Sequence, residues 1–346
     1  MRTLHAHDAA RERVFPCEIW YPATAAHAGA DIAPLTQDRF VVAGRETPRS
    51  QTAVRDAEAA SGIYPLIVYS HGSAAGGRRM ATFLCTHLAS HGYVVAALDH
   101  FELVATELAP TPGESDEQRS ARARAWIGNR VPDVRFLVDY LLGRGTGDTN
   151  LRIDPARIGA AGYSFGGWTV LAATEADRRI HAVVALAPAG SSKPKPGILP
   201  ATLTFDWGRD VPTLYLVAGN DVMTPLEGMH ELYARTQSPK RMVVLRRADH
   251  LHFLDQVEQE HEAARSMPWG EKLAWIPKEM RPIAELCSGE QAHLFVRGLA
   301  LAHMDAILSR KDGAERFLGG DLETALAQRG VDGVVYEAGG LAATGR

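Results

Sequence analysis

The sequence predicts an α/β fold in which a mostly parallel central sheet carries helices on both faces. Short apolar runs rich in β-branched residues alternate with longer helical patterns. These runs are apolar along their whole length, as expected of strands covered on both sides. The strand, helix and strand over residues 65–98 predict a right-handed parallel crossover. We expect residues 1–346 to form one domain.

The predicted strands are short and separated by helices or loops. They lie at residues 17–21, 65–69, 93–98, 157–161, 181–186, 213–217 and 242–245, with helices predicted at 80–88, at 134–142 and from Trp168. Three segments break the alternation. Residues 23–62 are polar and predict a surface excursion, whereas 102–130 and 255–287 are predicted insertions that form lid or pocket-wall segments.

Charge and composition exclude several classes of partner. Lys plus Arg number 37 and Asp plus Glu 41, for a net charge of −4, which gives no general attraction to nucleic acid or anionic membranes. No apolar run reaches the roughly 18 residues of a membrane span, and the N-terminus lacks the apolar region of a secretory signal. We therefore expect a cytoplasmic protein without a nucleic-acid partner or an integral membrane segment. The oligomeric state is not indicated.

The three cysteines favour the same compartment. Cys17, Cys85 and Cys287 lie far apart, are odd in number and form no CxxC pair, so no zinc ribbon is indicated. Buried structural thiols in a reducing compartment are the expected outcome.

The strongest motif is the G-x-S-x-G of residues 162–166. A predicted strand precedes it and an apolar helix follows it, which is the context of a nucleophile elbow in an α/β-hydrolase fold. Glycine is required on either side because a side chain there would strike the neighbouring strand or helix. The motif predicts Ser164 as a nucleophile. The alternative is a glycine-rich turn with an inert serine.

The loop at residues 70–73 follows an early predicted strand and is followed by small residues. In this fold one oxyanion donor comes from this loop and the other from the residue after the nucleophile. The pattern predicts the amides of Ser73 and Phe165 as the oxyanion-hole donors. We expect His71 to order the loop, since the base comes later in the chain. The loop lacks the Gly-Lys-Ser/Thr of a phosphate-binding loop.

The chain order of this fold places an acid and then a histidine after the nucleophile. Asp221 follows the strand at 213–217, at the sheet edge where ligands bind in open α/β folds. We predict it as the acid. The alternatives are that it caps a helix starting near Pro225, or that Asp206 or Asp210 takes the role.

His250 follows the last strong strand and is the predicted base. His252 is the rival, and the two also form an H-x-H pair of the kind that binds metals. No third ligand lies at a suitable spacing, so we expect no metal and no cofactor. His250 would take the serine proton, and Asp221 would fix the imidazole tautomer.

Residues 64–72, 88–100 and 162–167, with residues 20–23 near the start, resemble the platelet-activating factor acetylhydrolase and dienelactone-hydrolase-like branch of the α/β-hydrolases. The resemblance runs from about residue 11 to residue 253. It implies metal-free hydrolysis of short or activated acyl esters, with the same nucleophile, base and oxyanion donors. The acetylhydrolases place their acid after the strand that follows the nucleophile helix, where this chain has no carboxylate at 186–189. That departure argues against a phospholipid substrate.

These observations predict a carboxylesterase for small or medium acyl esters, acting through an acyl-enzyme intermediate. Ser164 argues against the lactone chemistry of dienelactone hydrolases, whose nucleophile is cysteine. A thioesterase or acyltransferase with the same triad is the alternative enzyme. A catalytically inactive binding module is the alternative from another class.

Overall fold

A computed structural model describes residues 1–42, 47–73, 76–100, 111–148 and 150–337. Its strands are β1 (Arg2–Asp8), β2 (Arg13–Trp20), β3 (Gln37–Phe40), β4 (Arg49–Val54), β5 (Gly62–Ser70), β6 (Val94–Leu98), β7 (Leu151–Tyr163), β8 (Ile180–Leu186), β9 (Thr213–Ala218), β10 (Lys240–Leu245) and β11 (Gly333–Val335). Its α-helices are α1 (Thr82–Ser90), α2 (Asp116–Arg144), α3 (Phe165–Ala176), α4 (Leu226–Arg235), α5 (Val257–Ser266), α6 (Ile276–Glu279), α7 (Gly289–Leu308), α8 (Asp312–Gly319) and α9 (Leu322–Ala327).

Within the described residues, nine strands form one sheet in the order β1-β2-β6-β5-β7-β8-β9-β10-β11. The six strands from β6 to β10 in this order are parallel, and antiparallel pairs close both edges of the sheet. The predicted α/β fold with a mostly parallel sheet is confirmed. The carboxyl ends of the parallel strands meet at one edge, which is where the candidate site lies.

Helices cover both faces of this sheet. On β5, Leu66 and Val68 pack into one apolar core, and Ile67 and Tyr69 pack into the other. Helices α1 and α7 contribute to the second core, and α2, α3 and α4 contribute to the first. Successive side chains of a strand point to opposite faces, so a strand buried on both sides is apolar throughout. This packing explains why the sequence shows continuous apolar runs.

Helix α2 joins two parts of the sequence that were predicted separately. It starts at a capping box formed by Ser115 and Gln118 and continues past Pro132, where one helical hydrogen bond is missing. The burial of Leu137 and Val138 on the sheet offsets that loss. Residues 102–110 of the predicted insertion lie outside the described residues, so a lid role for 102–130 stays a prediction.

The polar segment at 23–62 is more ordered than a surface excursion. It contains the β3–β4 hairpin, and a buried polar chain anchors it to the sheet. Trp20 donates to the side chain of Gln51 at 2.7 Å, and Gln51 donates to Asp38 at 2.6 Å. Burying these polar groups is tolerated because each finds a partner.

Two further predictions concern buried thiols and membrane segments. Cys17, Cys85 and Cys287 are all buried and free, as the sequence predicted. Across the described part of the chain, no helix is long and apolar enough to cross a membrane.

Candidate active site

Ser164 lies on a sharp turn between β7 and α3. Its backbone has φ +55° and ψ −118°, a conformation that side-chain-bearing residues rarely adopt. A Cβ at Gly162 would lie 2.2 Å from the Gly166 carbonyl oxygen, and one at Gly166 would lie 1.9 Å from the Ser70 carbonyl oxygen. Both positions therefore admit only glycine. The glycines of the motif allow the close backbone contacts that hold the serine above the sheet edge.

The structure brings Ser164, His250 and Asp221 together in one hydrogen-bonded line. The Ser164 hydroxyl oxygen lies 2.9 Å from His250 Nε2, and His250 Nδ1 lies 2.6 Å from Asp221 Oδ2. His250 and Asp221 are buried, whereas the rival carboxylates Asp206 and Asp210 are exposed. An imidazole held in this way has one nitrogen facing the serine and the other facing the acid.

Asp221 is itself held by the turn that follows β9. Its Oδ1 accepts from the amides of Met223 and Thr224, each at 2.8 Å, and its Oδ2 accepts from the Thr224 hydroxyl at 2.7 Å. The Thr224 hydroxyl lies 3.3 Å from His250 Nδ1. Sequence reasoning missed Thr224. The Asp-x-x-Thr spacing before a proline could have indicated it, since an aspartate often accepts from amides two and three residues later.

Tyr163, the first of the two variable residues of the motif, contacts both the ring and the backbone of His250. Its hydroxyl donates to the His250 carbonyl at 2.9 Å, and the two ring centroids are 5.0 Å apart. The motif allows any residue at position 163, so the sequence did not predict this contact.

Ser73 and Phe165 line the same cavity as Ser164. Phe165 is the first residue of α3, so its amide has no partner within the helix and is available to a ligand. The Ser73 amide donates to no acceptor among the described residues. Their roles as oxyanion donors stay predictions.

His252 is occupied in a different buried cluster. Its Nδ1 lies 2.8 Å from Asp249 Oδ1, closer than the 3.1 Å to the Asp249 amide, and its Nε2 lies 3.1 Å from the Cys287 carbonyl oxygen. His261 Nδ1 lies 2.7 Å from the other oxygen of Asp249. Every ring nitrogen of His250 and His252 therefore faces a protein group, which argues against a shared metal site.

Contacts within this cluster shift the pKa values of His252 and Asp249. Burial disfavours a charged ring, but the Asp249 carboxylate outweighs burial and raises the pKa of His252 to about 10. Burial opposes ionisation of Asp249 too, yet the two imidazoles hold the pKa of its carboxyl well below the usual range. His252 is thus tied to α5 through Asp249 and His261, and to Cys287 through its own Nε2.

A cavity of about 150 Å³ opens beside Ser164. Most of its walls are apolar, and much of one wall comes from the segment at 255–287. Apolar lining residues include Leu199, Leu251, Leu254, Met267, Trp269, Leu273 and Ile276. Glu260 also lines it and forms a buried ion pair with Arg49.

Known proteins with similar sequences or structures point to one superfamily. The family model of platelet-activating factor acetylhydrolase, isoform II, matches residues 38–130. A platelet-activating factor acetylhydrolase of Gallus gallus is 24% identical over 46% of this chain and 48% of its own. One from Cavia porcellus is 27% identical over 36% of this chain and 35% of its own. The chain thus spans about half the length, or less, of these curated relatives.

Two solved structures resemble the fold over nearly the whole chain. A ferulic acid esterase from Streptomyces cinnamoneus is 25% identical, covers 90% of each chain and has a TM-score of 0.60. This chain has an α/β-hydrolase fold, and part of its sequence resembles platelet-activating factor acetylhydrolases. A puromycin-hydrolysing peptidase of Mycobacterium tuberculosis shares the fold at 16% identity and a TM-score of 0.50, over 89% of this chain and 39% of its own. The resemblance predicted from the sequence is confirmed.

The buried cluster around Asp249 predicts a specific pH dependence of stability. A group whose pKa is raised on folding stabilises fully below its unfolded value, about 6.5 for histidine, and less as the pH rises toward its folded value. Asp249→Asn should therefore lower the free energy of unfolding by more at pH 6 than at pH 9, measured by urea denaturation. Asp206→Asn, at an exposed carboxylate, is the control and should change little at either pH. A loss of equal size at both pH values for Asp249→Asn would contradict the ion pair.

Proposed function

We propose that this α/β-hydrolase cleaves carboxylic esters of small or medium acyl groups, with Ser164 as nucleophile, His250 as base and Asp221 as the supporting acid. The observation that carries the proposal is the unbroken line from Asp221 through His250 to Ser164, which ends in an apolar cavity. The relatives named as acetylhydrolases and as a ferulic acid esterase support ester hydrolysis.

The first step is attack by the serine oxygen on the ester carbonyl carbon. As the new C–O bond forms, the Ser164 proton moves to His250 Nε2, 2.9 Å away. Asp221 accepts from Nδ1, which keeps Nε2 free to take the proton and stabilises the imidazolium that results. Thr224 and two backbone amides keep the carboxylate in place for this task.

The carbonyl oxygen becomes an oxyanion in this step. The amides of Ser73 and Phe165 would stabilise that charge, a contribution worth about 2.7–4 kcal/mol for each donor in a studied hydrolase. His250 then returns the proton to the alcohol oxygen as the C–O bond to the leaving group breaks. Water, activated by the same histidine, hydrolyses the acyl-enzyme and restores Ser164.

The cavity supports an acyl group of modest size. Its volume of about 150 Å³ equals that of apolar protein cavities that hold one benzene molecule. Trp269, from the segment at 255–287, forms part of the wall, so we propose that this segment sets the length of acyl chain that fits. The single-domain organisation and the cytoplasmic location stay predictions.

Ser164→Ala should keep the fold and lower ester turnover by about 10⁴-fold or more, because the nucleophile is lost. The loss of turnover is measured by hydrolysis of p-nitrophenyl acetate and by labelling with a fluorophosphonate. Retention of the fold is measured by the melting temperature. Turnover within a few fold of wild type would disprove the assignment.

His250 and His252 provide a matched pair of variants. His250→Ala should lose nearly all turnover, while folded His252→Ala should retain a substantial fraction, because its ring faces Asp249 rather than Ser164. Asp221→Asn should also be strongly impaired, since it allows the wrong imidazole tautomer. Turnover is normalised to the folded protein, counted by circular dichroism. If His252→Ala is the inactive variant, the base has been misassigned.

Trp269→Ala should enlarge the cavity and shift preference toward longer acyl chains. Trp275→Ala is the matched control, because that indole donates to the Pro196 and Lys272 carbonyls and is not among the residues that line the cavity. The measurement is kcat/KM for p-nitrophenyl esters from acetate to octanoate. An unchanged chain-length profile in Trp269→Ala, with a lowered melting temperature, would show that Trp269 serves packing alone.

A further inference from the structure

Arg130 on helix α2 contacts both halves of the proposed oxyanion hole. Its side chain is fully buried, and its Nη1 donates to the His71 carbonyl at 2.5 Å. Its guanidinium carbon lies 4.5 Å from the centroid of the Phe165 ring. His71 is two residues before Ser73, and Phe165 carries the other proposed donor. One cation therefore touches both segments that supply the donors.

The ring of His71 fixes the same loop from the other side. Its Nδ1 lies 2.7 Å from the Gly72 carbonyl oxygen, and its Nε2 accepts from the His100 amide at 2.9 Å. Burial, the Arg130 charge and His100 hold the pKa of His71 well below its usual value. A neutral ring with its proton on Nδ1 satisfies both contacts, since a carbonyl needs a donor and an amide needs an acceptor.

His100 is the middle member of a second buried line of Ser, His and Asp side chains. Its Nε2 lies 3.0 Å from the Ser70 hydroxyl and its Nδ1 lies 2.9 Å from Asp133 Oδ2. Arg11 and Arg13 each donate to Asp133 Oδ1 at 2.6 Å. Ser70 and Asp133 have no exposed surface, so no substrate reaches this serine. These hydrogen bonds tie α2, through Asp133, to the ends of β5 and β6.

We propose that Arg130 is a positioning residue of the oxyanion hole. It holds the His71 carbonyl and the Phe165 ring at a fixed separation, so that the amides of Ser73 and Phe165 point at the same oxyanion. A buried guanidinium is costly unless its donors are satisfied, and its planar fork suits a carbonyl and an aromatic face together. The inference rests on the proposed ester hydrolysis.

This role affects the transition state more than the bound substrate. The oxyanion develops only as the serine attacks, whereas the acyl group is held by the apolar cavity in either state. A displaced donor therefore lowers kcat and leaves KM nearly unchanged. Substitution of a residue that served stability alone would lower the melting temperature, but it would not lower kcat of the folded protein at unchanged KM.

Arg130→Lys is the test, because lysine keeps the positive charge and loses the planar fork. Arg122→Lys is the matched control. Arg122 lies on the same helix, pairs with Glu114 and sits 4.8 Å from the centroid of the Trp126 ring. With p-nitrophenyl acetate, Arg130→Lys should lose about 10- to 100-fold in kcat, the scale of an impaired oxyanion donor. Its KM should stay within about twofold, and Arg122→Lys should match wild type.

Phe165→Leu reaches the same contact from the opposite side, should Arg130→Lys not fold. It keeps the donor amide and removes the ring over Arg130, so a fall in kcat is expected. Only kcat is compared for this variant, because the Phe165 ring also lines the cavity and its loss changes KM. An unchanged kcat in the folded variants, or an equal loss in Arg122→Lys, would overturn the role of Arg130 while leaving ester hydrolysis intact. A wild-type protein that neither cleaves the ester nor reacts with a fluorophosphonate would overturn the proposed function, and this inference with it.

Discussion

The close backbone contact between the turn that carries Ser164 and the loop after β5 is the constraint on which the candidate site depends. Ser70 and Gly162 are paired in register at the ends of β5 and β7, so the two strands finish level with each other. The turn then passes so near that a Cβ at Gly166 would lie 1.9 Å from the Ser70 carbonyl oxygen. A Cβ at Gly72 would similarly lie 3.2 Å from that of Ser164. Strand register and the lack of side chains at Gly72 and Gly166 thus bring Ser164 and the loop that carries Ser73 to opposite sides of one narrow gap.

Buried carboxylates paired with histidines recur at three places in this protein. Asp221 pairs with His250, and Asp249 pairs with His252. Asp133 pairs with His100. An uncompensated buried carboxylate is too costly to retain, so each one fixes the segment that carries its partner. What distinguishes the first pair is access, because its imidazole also faces a serine beside the cavity. Whether such a pair can take part in a reaction therefore depends more on its access to the cavity than on the identity of its side chains.

The sequence predicted the parts of the fold whose burial leaves a continuous apolar run, such as β5 and β6. It missed β1, which is polar and lies at an edge, and β11, which has only three residues. For the site, the glycine motif and the chain order of the fold suggested Ser164, Asp221 and His250, and the structure places these side chains in contact. Their catalytic roles stay predictions. Arg130 was out of reach because its contacts join distant parts of the chain and belong to no motif.

The segment at 255–287 forms much of one cavity wall, and its two ends are anchored beside the turn that carries His250. It begins where Asp255 accepts from the Thr82 hydroxyl and amide and from the Phe83 amide. It ends at Cys287, whose carbonyl faces His252. Both ends are thus held close to the turn that carries His250, and His261 adds a third anchor through Asp249. The wall residues Met267, Trp269 and Leu273 take no part in these anchoring contacts. Changes in the wall alter the shape of the cavity, while the buried anchors keep the imidazole in line with the serine. Under the proposed function, we therefore expect substitutions in the wall to change the size of acyl group that fits without changing the contacts among Ser164, His250 and Asp221.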